Sequence, residues 1–181
     1  IENILPLIEH GHIHYGENKV QEALDKWTNV KSKNHNIQLH LIGRLQTNKV
    51  KFALRIFDYI HSLDSEKLAT KISAEQEKQE KKPKIFIQVN IGNEDQKSGI
   101  NKEKISDFYK FCKNLNLDIV GTMCIPPNDG NNEQYFSEMK NINKELNFKD
   151  LSMGMSGDYL DAIKNSATYV RVGSKIFGSR T

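Results

Sequence analysis

Lys84-Ile-Phe-Ile-Gln-Val-Asn90 is the stretch that decides the fold. Ile85, Phe86, Ile87 and Val89 make it apolar almost throughout, without the clean alternation of a strand that has one wet face. Such a strand is covered on both sides, as the strands of a parallel sheet flanked by helices are. Pro83 ends a long polar helix just before it, because proline has no N–H to continue the helix.

Working outward, the same strand–helix unit recurs in both directions. Downstream, a loop at 91–100 leads to a helix near 102–115, then a strand at 117–125 ended by Pro126 and Pro127. A helix near 131–146 follows, then a strand at 150–154, a short helix at 157–165, a strand at 168–172 and a turn at 174–177. Upstream lie a helix capped by Asp64 or Ser65 that runs to about Lys81, a strand at 59–63, and a helix opened by Thr47 carrying Phe52, Leu54 and Ile56. Before these come a strand at 38–42, a helix capped by Asn18 that runs to about Trp27, a strand at 13–16, and a short helix at 4–10 closed by Gly11.

Seven strands, each followed by a helix or helical turn, imply parallel pairing through right-handed crossovers. The pattern is one stave short of a TIM-type (β/α)8 barrel, so the fold expected is such a barrel lacking its first strand in this chain, as one domain over 1–181. Ile1 is not a start methionine, and the expected strand would precede residue 4. An open doubly wound sheet is the alternative; the short, similar units in sequence order favour the barrel.

The composition fits a globular cytoplasmic domain: 181 residues, 37% hydrophobic and 27% charged. A formal charge of +3, with acids and lysines interspersed as in 75–82, gives no basic surface for nucleic acid. Nothing is long and apolar enough for a membrane span. Cys112 and Cys124 are far apart with apolar neighbours, and read as buried reduced thiols.

Barrel chemistry sits at strand C-termini and the loops beyond them. Two such loops stand out. Ser152-Met-Gly-Met-Ser156 leaves the penultimate strand toward a helix that Ser156 can cap. Arg171-Val-Gly-Ser174 leaves the last strand, with Gly173 allowing close backbone approach and Ser174 opening another helical turn. Two helix N-termini converging from the final strands suit a phosphate. Strand alternation turns Arg171 inward if Val170 and Val172 face the helices, where it requires an anion, hydrogen bonds or an acid such as Glu17.

Tyr15-Gly-Glu-Asn-Lys-Val-Gln-Glu22, His40-Leu-Ile-Gly-Arg-Leu-Gln-Thr-Asn-Lys49, Gln88-Val-Asn90, Lys97-Ser-Gly99, Ser152-Met-Gly-Met-Ser156 and Val170-Arg-Val-Gly-Ser-Lys-Ile-Phe-Gly178 together resemble the pyridoxal 5′-phosphate homeostasis protein family. The resemblance spans essentially the whole chain, in order. It implies a single-domain barrel like the N-terminal domain of alanine racemase, which binds pyridoxal 5′-phosphate without a catalytic reaction of its own and buffers or delivers the cofactor. It implies a cytoplasmic monomer in transient contact with apo enzymes that use the cofactor. Ser156, Gly173 and Ser174 would hold the phosphate, Arg171 would face the pyridine nitrogen, and Asn18 and Met155 would line the ring. An arginine at that nitrogen keeps it unprotonated, which weakens the ring as an electron sink.

One family feature has no counterpart in this sequence. The family's Schiff-base lysine lies on the first strand, in a Val-Ser-Lys type segment that this chain does not contain. Lys97 and Lys49 are the substitutes to consider. Each also has an ordinary reading, Lys97 as a loop lysine paired with Glu94 or Asp95 and Lys49 as a solvated helix-entry lysine. His40 reads as an inward histidine with a satisfied hydrogen bond, and Trp27, Phe52 and Phe57 as packing. Two other readings stay open: a racemase-like enzyme dependent on the same cofactor, and a barrel that binds another phosphorylated metabolite.

Overall fold

The structure is a computed structural model that describes residues 2–94 and 96–178. In chain order its elements are α1 (Leu5–Glu9), β1 (His14–Glu17), α2 (Val20–Lys33), β2 (Gln38–Leu41), α3 (Val50–Ile56), β3 (Tyr59–Leu63), α4 (Glu66–Gln79) and β4 (Lys84–Asn90). Then follow β5 (Ile100–Asn101), α5 (Ile105–Asn114), β6 (Asp118–Cys124), α6 (Asn132–Glu145), β7 (Asp150–Met155), α7 (Tyr159–Lys164), β8 (Tyr169–Arg171) and α8 (Ser174–Phe177).

Among the described residues seven staves run in sequence order, β1-β2-β3-β4-β6-β7-β8, and every pairing between them is parallel. β1 and β8 are the two edges, and among the described residues no hydrogen bond joins them. Their inward rings, His14 and Tyr169, nevertheless lie 5.9 Å apart, so the sheet curls into a nearly closed barrel rather than an open wall. The order excludes the doubly wound alternative, which needs a reversal of strand order at a switch point within the parallel sheet.

Period-2 alternation splits β4 as its composition requires. Ile85, Ile87 and Val89 join the layer between barrel and helices, where Trp27, Leu54, Ile72 and Phe136 are also buried. Phe86 points the other way and packs with Tyr59 and Met123 inside the barrel, against Val120 and Tyr169. Two close approaches shape the mouth and wall. A Cβ at Gly43 would stand 2.1 Å from the Asn18 carbonyl oxygen, and one at Gly121 would stand 1.8 Å from that of Asp150. Only glycine lets those backbones meet.

Several local expectations change. α2 continues to Lys33, past Trp27, because Val30 still packs on the core and Thr28 Oγ bonds back to the Leu24 carbonyl. Asn18 does not cap α2: Lys19 occupies that position, with no side-chain cap bond. The loop at 91–100 ends in β5, whose two residues pair with Val89 and Asn90 of β4. Phe52 is not core packing; it is 37% exposed, with Lys49 and Arg55 over its ring. Ser65 is the cap of α4, accepting from the Leu68 N–H at 3.4 Å.

Candidate functional site

β7 and β8 bring the two quoted loops side by side. Met155 pairs with Arg171 across them, and beyond that register the Gly173 N–H donates to Ser156 Oγ at 3.2 Å. Ser156, Gly173 and Ser174 are thus one surface at the barrel mouth. Contrary to the expectation from the sequence, Ser156 does not cap α7. Asp158 stands at that cap position, and its carboxylate folds back to accept from the Met155 N–H at 2.6 Å and from Asn132 Nδ2 at 3.1 Å. This frees Ser156 to bridge the two loops. Space beside Gly157 and Gly173 is open, since a Cβ at either would meet no atom within 4 Å.

Arg171 turns into the barrel, as alternation along β8 requires. Its Nη1 donates to Ser152 Oγ at 2.9 Å and its Nη2 to the Cys124 carbonyl at 2.8 Å. Glu17 is not its partner; that carboxylate accepts from Lys26 and from the Trp27 indole, both at 2.7 Å. Burial lowers the guanidinium from its usual range, but guanidinium remains charged in proteins. Two of its five N–H groups are committed, and among the described residues no ion pair to a carboxylate is formed. The neighbouring Cys124 thiol is pushed up to about 12 by burial, so it stays protonated and is no nucleophile.

The remaining expected residues are dispersed. Met155, at the end of β7, is 41% exposed at the mouth. Asn18 is exposed on the loop after β1, held against Gly43. Lys97 pairs with Glu94 at 2.5 Å and donates to the Pro126 carbonyl at 3.4 Å, which is the ordinary reading; its other suggested partner, Asp95, lies outside the described residues. Lys49 sits over the Phe52 ring at 5.8 Å. The sequence gives Ser152 no role beyond its place in the Ser152–Ser156 loop and does not mark His61 at all, yet they are the side chains behind Arg171. The inward positions of Tyr59-Ile-His-Ser-Leu63 and of β7 were the available signal.

The whole chain, residues 1–181, matches the alanine racemase N-terminal domain family. It is 39% identical over 176 residues to the pyridoxal phosphate homeostasis protein of Aquifex aeolicus, covering 92% of this chain and 76% of that one. This chain belongs to the pyridoxal phosphate homeostasis protein family. The family member of Pasteurella multocida is 36% identical, covering 99% of this chain and 82% of its own length. Among solved structures, PipY of Synechococcus elongatus PCC7942 with PLP bound superposes with a TM-score of 0.88 at 30% identity, over 98% of this chain and 87% of PipY. An alanine racemase of Clostridium difficile, with a TM-score of 0.76 at 12% identity, shares the fold. Family members are named for homeostasis of the cofactor rather than for a reaction, and no helix of the described residues is long and apolar enough to cross a membrane.

Proposed function

We propose that this chain binds pyridoxal 5′-phosphate as a single cytoplasmic, monomeric domain over 1–181 and buffers or delivers it to apo enzymes without turning over a substrate. The observation that carries the reading is the junction of Ser156, Gly173 and Ser174 beside an inward Arg171, at the ends of adjacent strands. The residues fit the group. Open space flanks Gly157 and Gly173, hydroxyls of Ser156 and Ser174 border it, and the guanidinium has three N–H groups beyond those given to Ser152 and Cys124.

In this reading Ser156, Gly173 and Ser174 hold the phosphate, while Arg171 donates to the ring nitrogen. Asn18 and Met155 border the ring. When bound, the cofactor supplies an aldehyde reactive toward amines and an electron-withdrawing ring. A donor-only arginine meets the nitrogen unprotonated and so restrains that withdrawal, which favours carriage over catalysis. Names of the relatives and PLP in PipY support the choice of ligand.

Calorimetric titration with pyridoxal 5′-phosphate, pyridoxal and glycerol phosphate tests it. The phosphorylated cofactor should bind at least roughly tenfold more tightly than either fragment, since each lacks one anchored end. Equal affinity for glycerol phosphate would instead mark a general phosphate barrel, and steady racemisation of an amino acid by the loaded protein would make it an enzyme.

A further inference from the structure

A column of side chains climbs the barrel interior to Arg171. His14 Nδ1 lies 2.9 Å from His40 Nε2, His40 Nδ1 lies 2.9 Å from His61 Nε2, and His61 Nδ1 lies 2.9 Å from Ser152 Oγ. Each histidine comes from the next strand, β1, β2 and β3, and the serine from β7. Stacking fixes two of the rings: His40 lies on Tyr59 at 4.1 Å and His61 on Phe86 at 4.2 Å. His61 and Ser152 are essentially fully buried.

Arginine gives this column a direction. A guanidinium can only donate, so Ser152 Oγ accepts from Nη1. The hydroxyl proton then has His61 Nδ1 as its acceptor. His61 must therefore carry its proton on Nε2 and donate to His40 Nδ1, and His40 must donate from Nε2 to His14 Nδ1. Run the other way, Ser152 would accept twice and leave its own buried proton unplaced, which costs on the order of a lost hydrogen bond. Burial holds His40 and His61 in the neutral form that this alternation of donor and acceptor needs.

We infer that His61 is a positioning residue for Arg171: by accepting from Ser152 at Nδ1 it fixes the serine oxygen as an acceptor, and so holds the guanidinium in one orientation across the barrel. The Cys124 carbonyl holds the second Nη, so the serine arm is what prevents rotation about the remaining bond. The inference rests on the proposed function only in what the fixed guanidinium then meets.

The test begins without ligand. In 15N NMR at pH 7, His40 and His61 should be neutral and protonated at Nε2, and the two Nη groups of Arg171 should give separate signals because rotation is slow. His61→Asn places a carboxamide oxygen near the former Nδ1 and should keep those signals separate. His61→Gln reaches toward His40 instead, leaves Ser152 without its acceptor, and should merge them. A residue that only fills space would respond alike to both changes. Should His61→Gln fail to fold by circular dichroism, Ser152→Ala carries the same expectation. With ligand, the preference for pyridoxal 5′-phosphate over its analogue with CH in place of the ring nitrogen should be roughly tenfold in the parent and in His61→Asn, and should vanish in His61→Gln. A proton on His61 Nδ1, or signals unchanged in both His61→Gln and Ser152→Ala, overturns the inference. Failure of the parent to bind the cofactor would sink the proposed function, while the guanidinium signals still decide this point.

Discussion

Acid should begin to destabilise this protein before its carboxylates protonate, because neutral histidines are buried inside the barrel. His40 is 4% exposed, and burial first, then the neighbouring His14 and Lys31, lower its pKa from 6.5 to about 3. His61, at 1% exposure, is lowered well below 6.5 by burial, His40 and Arg171. A base whose folded pKa is depressed takes up its proton more readily once unfolded. Its contribution is complete above pH 6.5 and is lost progressively as pH falls toward about 3. For His40, going from pH 6.5 to pH 4.5 costs about 2.3 kcal/mol, the slope approaching about 1.36 kcal/mol per unit as the unfolded imidazole becomes fully protonated. His61 is shifted in the same direction and adds to this loss. The melting temperature should then fall by at least roughly 5–10 °C over this interval. Urea midpoints at pH 7.5, 6.5, 5.5 and 4.5 measure the effect. His40→Gln removes one of the titrating groups, so its stability should fall less steeply, by about 1.4 kcal/mol per pH unit. A flat curve from pH 6.5 to 4.5, or an unchanged slope in His40→Gln, would refute the reasoning.

Other outcomes follow from single contacts. Gly121→Ala forces a methyl to within 1.8 Å of the Asp150 carbonyl oxygen, separating β6 from β7 at a cost of roughly 3 kcal/mol, so an unchanged urea midpoint would contradict the register. Phe86→Ala empties the barrel interior beneath the His61 ring and should cost roughly 3–5 kcal/mol in thermal or chemical unfolding. Trp27→Phe deletes the indole N–H that Glu17 accepts at 2.7 Å, and should cost roughly 1–3 kcal/mol, more than loss of fluorescence alone would reveal. Both cysteines are buried, with thiols pushed up to about 12, so a disulfide-exchange reagent at pH 8 should label neither until urea unfolds the chain; stoichiometric labelling of the native protein would count against their burial.

Much of the architecture was legible because it depends on local periodicity. The apolar run in β4, Pro83 before it and Pro126 after β6 mark strand edges through backbone chemistry that needs no partner. Arg171 was placed inward by alternation alone, and the structure agrees. The errors fell where a boundary is settled by competition among distant groups. Asp158 displaced Ser156 from the start of α7 because its carboxylate could also collect Met155 and Asn132. Lys19 took the start of α2, leaving Asn18 against Gly43, which is twenty-five positions away in the chain and adjacent only in space.

What this sequence determined by itself is the succession of strands and helices, the parallel order that follows from short crossovers, and the glycine- and serine-bearing loops at the last two strand ends. These depend on residues that are neighbours in the chain. Only the tertiary structure decided what stands behind Arg171. Ser152, His61, His40 and His14 come from four strands, and no spacing along the chain predicts that their nitrogen and oxygen atoms meet at 2.9 Å. Curling the sheet brings those inward side chains together, and burial then requires each polar atom to find a partner.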